Sequence, residues 1–173
     1  MHDLSGEAPE VFGAGALKAA VLPTEYRRSW GALRRLYAGF APDVVVHFGL
    51  SQKIKVIHVE RVGRNVVDPA KPDAAGYAPP RGRDRRTGPQ ALASSFAAPA
   101  IVAALAEAGF PAALSDDAGA YVCNATLYRS LAANAAPQVG FVHVPPLRRG
   151  GWTAARLREA GSVVLCAAVA APA

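Results

Sequence analysis

The side chains in this sequence best suited to covalent chemistry begin with Cys123. It closes the stretch Asp117-Ala118-Gly119-Ala120-Tyr121-Val122-Cys123-Asn124. A glycine-containing turn is followed by Leu127, Tyr128 and Leu131 at helical spacing, which puts the thiol in the first turn of a helix. Unpaired backbone N–H groups and the positive end of the helix dipole favour a thiolate there. A free cysteine is also commonly a small buried hydrophobe. This stretch alone leaves both readings open.

A nucleophilic cysteine needs a base within hydrogen-bond reach and a third group that orients the base. His143 stands near the C-terminal end of the apolar run Pro137 to Pro145, and active-site groups of open α/β sheets gather at such strand ends. His47 lies in mid-strand and His58 in an alternating strand, where a satisfied core or rim histidine is expected, and His2 is near the start of the chain. Among carboxylates, Glu60 is set in an otherwise apolar strand, where an unpaired charge costs several kcal/mol. On spacing alone, it could equally pair with Arg61 or Arg64. Metal ligation finds no CxxC, HxxxH or HxxE spacing, and Gly13-Ala14-Gly15 lacks the rest of a phosphate loop. Metal ligation is therefore a weak competitor of nucleophilic chemistry at Cys123, which has no second ligand nearby in sequence.

The elements that must position these groups follow from pattern. With 173 residues, 51% of them hydrophobic and 18% charged, the chain suits one globular domain over 1–173. Leu17 to Leu22 reads as a strand stopped by Pro23. Thr24 can cap a helix in which Tyr26, Trp30, Leu33 and Tyr37 form the apolar side and Arg27, Arg28, Arg34 and Arg35 the wet side. Val44 to Gly49 looks like a central strand buried on both faces, and Ile54 to Val62 like one alternating strand. The segment from Asp68 to Pro89 has five prolines and an arginine run from Arg81 to Arg86, so a functional or mobile loop is expected. A helix from Pro99 to Ala108, a short strand Ala112 to Leu114, the cysteine helix, the His143 strand and a helix over Trp152 to Val169 complete the order. Cys166 in that last helix reads as structural. The sum is an α/β fold, a three-layer α/β/α sandwich with a mixed central sheet.

The charge of +6 is compatible with anionic partners, but the arginines lack aromatic interleaving and any nucleic-acid-binding pattern. No nucleic acid is expected as a specific partner. The longest apolar stretch, Val163 to Ala171, is too short for a membrane span, and no secretory signal is visible. A cytoplasmic protein with two free thiols is the expectation, and a homo-oligomer is compatible with it.

Three segments then resemble, in order and approximate spacing, the catalytic motifs of pyroglutamyl peptidase I: Glu60-Arg61-Val62-Gly63-Arg64-Asn65, the Asp117 to Asn124 stretch with Tyr128, and Gly140-Phe141-Val142-His143-Val144-Pro145. Leu22-Pro23, Pro42-Asp43-Val44-Val45 and Pro72-Asp73 with Gly76 are shorter matches. The resemblance implies a cytoplasmic cysteine peptidase without cofactor, acting on peptides with N-terminal pyroglutamate. It implies Cys123 as nucleophile, His143 as base and Glu60 as its orienting carboxylate, with Leu50, Tyr121 and Val122 lining the ring pocket. The family's opening strand, Gly-Phe-x-Pro-Phe-Gly loop and Asn-Pro turn have no match before Leu17, and Leu50-Ser51-Gln52-Lys53-Ile54 replaces its usual turn. The resemblance therefore implies a divergent member, N-terminally truncated relative to the family. Its alternative is a catalytically impaired relative that binds peptides or partners.

Overall fold

The computed structural model of the chain describes residues 10–12, 15–80 and 82–171; His2, Gly13, Ala14 and Arg81 lie outside them. In chain order, β1 (Glu10–Phe12) and β2 (Gly15–Leu17) form an antiparallel pair, followed by α1 (Tyr26–Phe40), β3 (Val44–Leu50), β4 (Ile57–Glu60) and β5 (Val62–Arg64). Then come β6 (Ala91–Ala93), α2 (Ala98–Glu107), β7 (Ala112–Ser115), α3 (Val122–Ala132), β8 (Gln138–Val144) and α4 (Ala154–Ala170). The central sheet has the order β3-β8-β4-β7, with β3 parallel to β8, β4 parallel to β7, and β4 antiparallel to β8. It is a mixed sheet between two helical layers, as the sequence pattern implied.

Strand alternation decides which side chains meet which layer. Ile57, Val59 and Val142 pack with Ile101 and Leu105 of α2 and with Ala160, Val164 and Ala168 of α4. Val139 and Phe141 point the other way, onto Leu127 and Leu131 of α3. By the same period of two, His58 and Glu60 of β4 and His143 of β8 belong to the α3 side. The core that fixes the sheet thereby also fixes the face on which the reactive groups gather.

The segment between β5 and β6 is held by side chains of α3. Asn124, fully buried, accepts a bond from the Arg64 N–H (2.9 Å) and donates to the carbonyls of Arg64 (2.8 Å) and Val66 (2.9 Å). Tyr128 donates to the Pro89 carbonyl (2.8 Å), and Arg129 forms an ion pair with Asp84, whose side chain is fully buried. Asn65 exchanges two bonds with the Arg85 backbone, at 3.0 and 2.8 Å. Proline-rich and aperiodic as it is, this segment is stitched to the fold by the helix that carries Cys123.

Several local expectations are corrected. Residues 18–22 form no strand, for their backbone has no ladder partner among the described residues, and the strand here is the shorter β2. Thr24 does not cap α1: Asp73, from the long loop, accepts the Tyr26 N–H (2.9 Å), as well as those of Ala75 and Tyr77. Val44 to Gly49, read as central, is β3 at the edge of the sheet, and Phe48 is 44% exposed. Nor is it buried on both faces: among its residues only His47 is buried, because an apolar run carries no record of which edges and faces find partners. The alternating segment after Ile54 is two strands in different sheets, parting at Arg61. Cys166 is exposed. None of the helices among the described residues is long and apolar enough to cross a membrane.

Candidate active site

Cys123 occupies the first turn of α3, preceded by Tyr121 as an extended N-cap residue that makes no side-chain capping bond. The first N–H groups of the helix therefore have no side-chain cap, and the dipole there favours negative charge. The thiol is partly buried. Gly49, in the last turn of the β3 pleat, runs directly beside it: a Cβ at this glycine would lie 3.0 Å from Cys123 Sγ and 2.6 Å from Cζ of Phe141. The missing side chain leaves room for the sulfur.

His143 Nδ1 lies 2.8 Å from Glu60 Oε1. A carboxylate only accepts, so Nδ1–H donates, and Nε2 is the ring nitrogen left free of Glu60. The Phe141 ring, 4.7 Å from the imidazole between centroids, packs on the same side. Burial pulls the His143 pKa down, but the nearby Cys123 thiol and the hydrogen bond and charge of Glu60 outweigh it and carry the pKa up to about 9. Glu60 itself is 1% exposed, and its Oε2 has no partner among the described residues. Pairing with the neighbouring arginines does not occur. Arg61 is bound to Asp116, and the carboxylate nearest Arg64 is Asp117, at 3.9 Å.

The other residues singled out by sequence fall around this group in different ways. Tyr121 donates its hydroxyl to the Pro72 carbonyl (3.1 Å) and stands edge-on to Tyr26. Val122 buries its side chain against Tyr26, Val67 and Ala125, so its backbone is the part available at the helix start. Leu50 ends β3 with its side chain 55% exposed and on the parity of Val44 and Val46, away from α3. Its backbone adjoins Gly49.

His47 takes no part in this group. It is buried, bonds Ser130 Oγ through Nε2 (3.0 Å), and Ser130 in turn bonds the Tyr37 hydroxyl (2.8 Å). Burial lowers its pKa to about 4, so it is neutral at pH 7. Among the described residues no three His, Cys, Asp or Glu side chains gather where they could hold a metal ion. Sequence reading passed over Gly49, Phe141 and Asn124. The parity that puts Gly49 on the His47 face was legible, but its approach to Cys123 depends on how α3 docks.

The sequence and the fold have counterparts among known proteins. The family model described as pyroglutamyl peptidase matches residues 3–168. A pyrrolidone-carboxylate peptidase from Streptomyces coelicolor is 41% identical over 75% of this chain and 62% of its own length, and one from Thermococcus onnurineus is 39% identical over 79% and 70%. The crystal structure of a pyrrolidone carboxyl peptidase from Thermus thermophilus superposes with a TM-score of 0.82 at 30% identity, over 91% of this chain and 85% of that one. The matched part of this chain thus spans roughly two thirds of the length of the curated relatives. With a single family model running through nearly the whole sequence, and with relatives and fold in agreement, the chain belongs to the pyroglutamyl peptidase family.

Proposed function

We propose that this chain is a cysteine exopeptidase that hydrolyses the amide bond after an N-terminal pyroglutamyl residue, acting as one domain over residues 1–173 in the cytoplasm. The observation that carries the reading is the imidazole of His143 bonded through Nδ1 to Glu60 and placed close enough to Cys123 for the thiol to raise its pKa. In this mechanism the Cys123 thiolate attacks the pyroglutamyl carbonyl carbon while its proton resides on His143 Nε2. The new C–S bond drives the carbonyl electrons onto oxygen, and the uncapped N–H groups at the start of α3 are the available donors for that oxyanion. Collapse breaks the C–N bond, and His143 gives its proton to the leaving amine. Water, deprotonated by the now neutral imidazole, then attacks the thioester, releases pyroglutamate and regenerates the thiol.

Glu60 holds the imidazole in the tautomer that presents Nε2 to sulfur and stabilises the imidazolium. Tyr121, the backbone of Val122 and the backbone of Leu50 are the groups proposed to meet the lactam ring, which is neutral and has no free amine to pair with a carboxylate. The test is release of a fluorophore from a pyroglutamyl amide by the full chain. Activity is expected, and Cys123→Ser and His143→Ala should each remove at least ~10³-fold of kcat. A folded wild-type chain that leaves the substrate intact overturns the reading.

A further inference from the structure

Away from Cys123, α1, the loop carrying Asp84 and Arg85, and the later turns of α3 enclose an open cavity of about 600 Å³. Trp30, grouped by its spacing with the core side of α1, is instead half-buried in this wall. Around it stand Arg27, Arg34, Arg85 and Arg129. The one carboxylate present is Asp84, fully buried and already bound by Arg129 through Nε at 2.7 Å. Among the described residues, Arg27, Arg34 and Arg85 have no carboxylate within ion-pair distance.

Arg27 rests on an aromatic face, and the backbone that carries Arg85 is anchored. The Arg27 guanidinium lies 4.2 Å above the Tyr77 ring. Arg85 projects from a backbone clamped on both sides by Asn65, in a loop fastened to α3 by the Asp84 and Arg129 pair. Arg34 follows Trp30 by one helical turn, on the same face. Like charges that converge on a concave surface repel one another, and a bound anion removes that cost. Guanidinium forks match phosphate oxygens in pairs, and an indole wall offers a face for a planar ring. The volume lies within the range of small-molecule sites.

We propose that this cavity is a second binding site, for a small phosphate-bearing ligand with a planar ring, of the nucleoside diphosphate type. The phosphates meet Arg34 and Arg85, with Arg27 at the rim, and the ring lies against Trp30. The proposal is independent of the peptidase reading, since none of these side chains touches Cys123, His143 or Glu60.

The probe is ADP, titrated calorimetrically into the full chain, with pyrophosphate and adenosine as separate arms. Saturable one-to-one binding with a Kd below about 1 mM is expected, weakening as salt is raised. The double variant Arg34→Ala/Arg85→Ala should bind ADP at least ~10-fold more weakly while its circular dichroism stays unchanged. Trp30→Leu should weaken ADP and spare pyrophosphate. Absence of saturable ADP binding, equal affinity in the double variant, or adenosine binding as tightly as ADP would each overturn the proposal. So would pyrophosphate binding as tightly as ADP, because the ring would then contribute nothing.

Discussion

His143 and Glu60, 83 positions apart in sequence, meet at 2.8 Å because β4 and β8 run antiparallel and both side chains face α3. With Glu60 almost wholly buried, this contact joins a charged carboxylate to the ring whose pKa stands at about 9. Glu60→Gln keeps the shape and removes the charge. In the proposed mechanism kcat then falls by roughly 10²-fold or more, and the alkaline limb of the pH profile, set by loss of the His143 proton near 9, moves towards neutral pH. A purely structural role would lower the yield of folded protein while leaving the limb in place, so the pH dependence of kcat/KM on folded variant decides the matter.

Gly49 makes a steric prediction. Added to it, a methyl group sits 3.0 Å from Cys123 Sγ and 2.6 Å from the Phe141 ring, both closer than ordinary contact. Gly49→Ala must push the sulfur or the ring aside, costing about 1–3 kcal/mol of stability and displacing the nucleophile. A tenfold or greater loss of kcat/KM is expected, with slower alkylation of Cys123 by iodoacetamide. Unaltered alkylation would show that the thiol does not depend on this gap.

The two histidines pull stability in opposite directions with pH. His143, with its pKa raised from 6.5 to about 9, stabilises the fold fully below about 6.5, and this contribution is lost as pH rises through 9. His47, lowered to about 4, must be neutral in the folded chain. Its contribution is complete above about 6.5 and is lost as pH falls towards 4, because the unfolded chain takes up the proton first; the loss is on the order of 3 kcal/mol. These groups together place a stability maximum near pH 6.5, readable as the urea midpoint across pH 4 to 9. His47→Gln should flatten the acid side alone.

Asp84 makes the strongest stability prediction. Its side chain has no exposure and receives the Arg129 guanidinium, which also donates to the Tyr26 carbonyl at the start of α1. Asp84→Ala leaves that cation without its counter-charge, and a loss of about 3–5 kcal/mol in chemical denaturation is expected. Loss of only a few tenths would mean that the loop is not fastened to α3 as described.

The sequence determined the helices, the apolar strands and the residue types at the site. Periodicity marks α3 and the run around His143, and the spacing of three motifs carried Cys123, His143 and Glu60 together into a family resemblance. Sequence could not say whether Glu60 would turn to Arg61, Arg64 or His143, since all three pairings obey the same local rules. The antiparallel register of β4 against β8 decided it. Nor could an apolar run such as Val44 to Gly49 announce itself as an edge strand, because side-chain pattern is blind to backbone partners. The tertiary structure also replaced an expected local cap at Thr24 with Asp73, bound the long loop through Asn124 and Arg129, and set Gly49 against the thiol. Each of these joins residues distant in sequence, and only the docking of helix on sheet brings them within reach.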